Sequence, residues 1–81
     1  MVKLMTTKAV STLSTIQRML DDVEEYVRAV QDLRRKLKRH KPGSEGYHDL
    51  LPELCVQVDV LRLKAQHAVQ ALEEYEDSLS D

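Results

Sequence analysis

The chain has 81 residues, 42% hydrophobic and 32% charged, with one Cys, two Gly, two Pro, no Trp and no Phe. That is enough for one small domain with an aliphatic core, near the size at which a single core is only marginally stable. A lone Cys55 rules out an internal disulfide, no 18-residue apolar run is present to cross a membrane, and a net charge of −2 counts against nucleic acid.

The start, Met1-Val-Lys-Leu-Met-Thr-Thr, lacks the apolar stretch of a signal peptide. An intracellular location, cytoplasmic or nuclear, is expected, with Cys55 as a small buried thiol. Residues 1–5 are expected to fray, with Thr6, Thr7 or Ser11 capping a helix over about 6–40. Val2, Ala9, Ile16, Val23, Val30 and Leu37 are spaced by seven. A second row, Leu13, Leu20 and Val27, interleaves with them, and a third, Met5, Met19, Tyr26 and Leu33, flanks both. Three apolar rows per heptad make a face as wide as those found in helical bundles. The opposite face, with Arg18, Asp21, Asp22, Glu25, Arg28, Asp32 and Arg35, is a solvated surface. Arg34 stands where the second row calls for an apolar residue, and its stem is expected along the core edge with its head in water.

The first helix ends in a basic run of Arg34, Arg35, Lys36, Lys38, Arg39 and Lys41. Cations at a helix C-terminus complement the macrodipole, which accounts for the run structurally. Functionally, the same patch suits an acidic protein or, peripherally, anionic lipid. Nucleic acid fits less well, because there is no row of aromatic residues for bases to stack on.

Residues 41–46, Lys-Pro-Gly-Ser-Glu-Gly, form the connection. Lys41 precedes a proline and is pushed off helical geometry. Gly43 and Gly46 both permit positive φ. A loop this short favours antiparallel neighbours.

A second helix is expected over about 45–78, starting at Ser44 or Asp49, with an irregularity near Pro52 and fraying over 79–81. Tyr47, Leu51, Leu54, Val58, Leu61, Ala65, Ala68, Leu72, Tyr75 and Leu79 follow at steps of four and three, the spacing of a seam packed on another helix. An antiparallel hairpin turning near 43–44 pairs position i with about 87 − i. Its charges agree. Residues 1–41 hold ten Lys/Arg against five Asp/Glu, or +5, and residues 42–81 hold two against nine, or −7. Halves of opposite sign favour closure of one upon the other.

Val56, Val60 and Leu63 lie opposite that seam, so the first half of the second helix is apolar on two sides. A two-helix hairpin covers one of them. The other is expected to meet a second chain, with Met19, Tyr26 and Leu33 of the wide first-helix face, in a dimeric four-helix bundle.

Catalytic chemistry has no foothold. His40, His48 and His67 lack metal-ligand spacing, and there is no phosphate loop or nucleophile elbow. Asp21-Asp22 and Glu24-Glu25 are neighbours in sequence and diverge around a helix. No enzyme activity, cofactor or metal is expected. The pattern resembles the short helical-hairpin interaction domains of scaffold, trafficking and cytoskeletal proteins. From Ile16 to Leu63 it also resembles three-helix chaperone-cofactor bundles of the BAG type, but nothing breaks residues 53–78 to give a third helix. The expectation is a single all-α domain over 1–81, an antiparallel hairpin that self-associates as a scaffold or adaptor. The alternatives are a monomer that binds a partner helix and a basic-patch module.

Overall fold

A computed structural model describes the backbone of residues 2–79 and the side chains of residues 12–79. It contains two helices, α1 (Val2–Lys38) and α2 (Glu45–Leu79), packed against each other. The loop between them spans at most about 20 Å when fully extended. Each helix is about 50–55 Å long at 1.5 Å per residue. Helices that pack along their length across such a loop must run antiparallel. The result is a rod of 63 × 15 × 13 Å, one helix long and two helices wide.

α1 begins at Val2 rather than near Thr6 and stops at Lys38 rather than near residue 40. Met1, Ser80 and Asp81, expected to fray, lie outside the described residues, as do the side chains of the expected core positions Val2, Met5 and Ala9. The end of α1 tightens. The Arg39 N–H donates to the Lys36 carbonyl and the His40 N–H to the Leu37 carbonyl, both at 3.1 Å. These three-residue closures satisfy carbonyls that the helix end leaves open. Arg35, Lys36 and Lys38 stand in the last turn, where the negative pole of the dipole favours them.

The reversal follows from Pro42 and Gly43. The Ser44 N–H donates to the Lys41 carbonyl at 3.0 Å, and Gly43 has φ +89°. Proline followed by a positive-φ glycine across such a bond is the pattern of a type II turn. Gly46, which also permits positive φ, does not adopt it. A Cβ there would lie 2.5 Å from Nδ1 of the exposed His40 side chain and would have to displace it. The imidazole lies against the first turn of α2.

Ser44, rather than Asp49, starts the second helix. Its Oγ accepts from the Tyr47 N–H at 3.3 Å, and its carbonyl takes the His48 N–H at 3.0 Å. This is N-cap geometry, worth about 1 kcal/mol. α2 then runs unbroken through Pro52, where an irregularity was expected. The proline leaves the His48 carbonyl without its helical donor. His48 and Pro52 are both exposed, so water can take that bond.

The core is thin. Among the described residues the buried apolar side chains are Ile16 (2% exposed), Leu33 (8%) and Ala68 (3%). On α1 the half-buried Met19, Val23, Tyr26, Val30 and Leu37 complete two adjacent rows facing α2. On α2 the facing rows are Tyr47, Leu54, Leu61, Ala68 and Tyr75, with Leu50, Gln57, Lys64 and Ala71. This corrects the expected seam. The row of Tyr47 and Leu54 faces α1 as anticipated, but its partner is the row three residues on, not the row four residues on. The turn sets the rotation. Tyr47 and Leu50 are the first α2 residues brought against α1, and the repeat carries that face along the helix. Gln57 and Lys64 are tolerated because their stems line the seam while their polar ends reach out.

Candidate interaction surface

Rotating the seam by one row moves an apolar row out of the core. On α2 this row is Leu51, Val58, Ala65, Leu72 and Leu79; Ala65 is half-buried and the four larger side chains are exposed. On α1 the corresponding row is Leu13, Leu20 and Val27, also exposed. Both rows lie four residues after a seam row. On antiparallel helices such rows fall on the same side of the pair. They therefore form one apolar strip along one flank of the rod, which on α1 runs from Leu13 to Val27 and ends at Arg34. Leu20 is 40% exposed, Val58 46% and Leu72 42%.

The edges of this strip are mixed: next to it lie Gln17, Glu24, Gln31 and Lys38 on α1, and His48, Cys55, Arg62, Val69 and Glu76 on α2. Cys55, expected to be buried, is exposed at this edge. Full burial of a Leu or Val is worth roughly 1.5–3 kcal/mol. With about two fifths of each still exposed, six such side chains leave on the order of 4–7 kcal/mol per copy for another surface to supply.

The opposite flank differs. Val56, Val60 and Leu63 do lie away from the seam, with Val56 58% exposed, Leu63 exposed and Val60 half-buried. On α1, however, that side carries Arg18, Asp22, Glu25, Asp32 and Lys36, and the three aliphatics stand among charges. Met19, Tyr26 and Leu33, expected to meet a second chain, lie in the intramolecular seam, with Leu33 buried there. The wide face of α1 is real, but its outward part is the Leu13, Leu20 and Val27 row.

Arg34, Arg35, Lys36, Lys38, Arg39 and Lys41 are all exposed at the loop end. Arg35 reaches Asp32 at 2.8 Å. Arg28–Glu24 at 2.7 Å and Arg62–Asp59 at 3.0 Å likewise lie within one helix. Exposed pairs of this kind contribute a few tenths of a kcal/mol each and do not fix the fold. His40, His48 and His67 are exposed. Among the described residues no group of three or more His, Cys, Asp or Glu is placed to hold a metal ion, and no helix is long and apolar enough to cross a membrane.

The signal that could have located the strip was present. Row Leu51 to Leu79 is apolar at every position, whereas row Leu50 to Ala71 is interrupted by Gln57 and Lys64. Uniform apolarity marks a row that must be covered, but it does not say by which helix. Compared with protein-family models, curated proteins and solved structures, the chain has no significant match in any of the three, so its own residues carry the functional reading.

Proposed function

We propose that this chain is a protein–protein association module, a helical hairpin that self-associates through helix packing and acts as a scaffold or adaptor. One observation carries the reading: an apolar strip on one flank, built from Leu13, Leu20 and Val27 of α1 and Leu51, Val58, Ala65 and Leu72 of α2, with Arg34 closing its α1 row at the loop end. A contiguous patch of this kind marks an interaction site in a chain that stays soluble. Covering it with the same strip of a second copy gives four helices around one aliphatic core, the common way for hairpins to finish their packing. The role is binding rather than catalysis, and the work is done by burial of Leu and Val.

Sedimentation equilibrium over a wide concentration range tests this. A dimer that dissociates on dilution supports it. A single copy at every concentration removes self-association and turns the strip into a groove for a partner helix.

The exposed cations at the loop end favour a second reading, in which they hold the module against an anionic surface. A salt titration of binding to vesicles with and without acidic lipid tests that reading. Binding that is equal on both, or insensitive to salt, ends it.

A further inference from the structure

We infer that the second copy docks strip to strip with both loops at the same end of the assembly, each α1 lying on the other copy's α2. This rests on the self-association proposed above and adds its orientation. Two hairpins can meet face to face about a two-fold axis along the rod or about one across it. The axis across the rod lays α1 on α1 and α2 on α2. Helix α1 holds eight Lys/Arg against five Asp/Glu, or +3, and α2 two against eight, or −6, so by formal charge that sets +3 against +3 and −6 against −6 along the length of the contact. The axis along the rod makes every neighbour unlike, with each +3 helix between two −6 helices. Like helices are then diagonal, further apart and separated by the opposite sign. At the loop end each basic α1 terminus lies between two α2 starts that carry Glu45, Asp49 and Glu53. Coulomb attraction at helix–helix spacing falls within a Debye length, so neighbours outweigh diagonals.

The strip's own edges agree. Glu24 borders it on α1 and Arg62 on α2, and the antiparallel register brings them level on opposite edges. Across one hairpin they point apart, and each pairs within its own helix, Glu24 with Arg28 and Arg62 with Asp59. About an axis along the rod, Glu24 of one copy faces Arg62 of the other, twice. About an axis that crosses the rod at their level, Glu24 meets Glu24 and Arg62 meets Arg62. The same lengthwise axis sets Leu13 over Leu72, Leu20 over the small Ala65 and Val27 over Val58, so apolar meets apolar at each of these levels.

The test uses the full chain with Cys55→Ala and Lys41→Cys, spin-labelled at the loop. The Lys41 backbone carbonyl, not its side chain, closes the turn, so the label leaves that bond in place. A pulsed-EPR distance below about 30 Å, a few interaxial spacings, is expected for loops at one end. A distance of about 50 Å or more, at 1.5 Å per helical residue from a crosswise axis, overturns the orientation and leaves self-association standing. Sedimentation of the same sample as a single copy overturns both and assigns the strip to another protein. In addition, Glu24→Arg and Arg62→Glu are each expected to weaken the dimer several-fold, and the double variant to regain most of that loss. Double-variant dimers no tighter than the singles overturn the facing pair, and with it the lengthwise axis.

Discussion

The two flanks of the rod are made from the same two helices and differ in what they ask of their surroundings. On one, Leu13, Leu20 and Val27 of α1 stand beside Leu51, Val58 and Leu72 of α2, and aliphatic surface continues across both helices. On the other, Val56, Val60 and Leu63 face a row of charges on α1. Counting apolar residues helix by helix makes both flanks look like binding faces. Counting them across the pair leaves one. Contiguity across elements, rather than hydrophobicity of one element, marks a surface that another chain can cover, because burial scales with joined area.

Substitutions can break that contrast. The largest effect is expected at the strip: Leu20→Asp or Val58→Asp buries a charge on both sides of a two-fold contact and weakens the dimer by at least about 1,000-fold in sedimentation. Val60→Asp on the opposite flank should change the dimerisation constant less than about 3-fold. If Val60→Asp disperses the dimer and Leu20→Asp does not, the two flanks have been assigned the wrong way round. Next comes the seam between them. Leu33→Ala removes a buried side chain from a thin core and should cost roughly 2–4 kcal/mol in urea unfolding at a concentration held constant across variants. A smaller loss, about 1–2 kcal/mol, is expected for Gly43→Ala, because φ +89° strains a residue with a Cβ. The smallest effect sharpens the comparison from within. Lys64→Leu puts an aliphatic side chain in the seam and should stabilise the hairpin by up to about 1 kcal/mol without altering the dimerisation constant. A change in dimerisation of 10-fold or more would place Lys64 on the docking surface instead.

Much of the architecture was legible in the residues. Steps of three and four on both sides of Lys41-Pro42-Gly43-Ser44 declared two helices and a turn, and the bounds of α2 differ from expectation by one residue at Leu79. The loop carried its own chemistry, with proline and glycine for the turn and serine for the cap. Pro52 was harder. Its cost depends on whether water reaches the His48 carbonyl, and that depends on which side of α2 faces out. The interaction surface was half legible. The spacing marks Leu13, Leu20 and Val27 as one row of a face too wide for one partner, yet it places Leu51, Val58 and Leu72 in the core.

Periodicity, turn residues and charge asymmetry by themselves determined that this chain makes two long helices, folds them back on each other and has more aliphatic surface than the pair can cover. All of these are local properties or sums along the chain. Which rows meet was decided only when the turn set the rotation of α2 about its own axis. A step of three and a step of four from Tyr47 differ by about 100° around a helix, and hydrophobicity alone prefers the wrong one. Position in the fold, not residue type, separates the leucines that hold the hairpin together from those left for another chain.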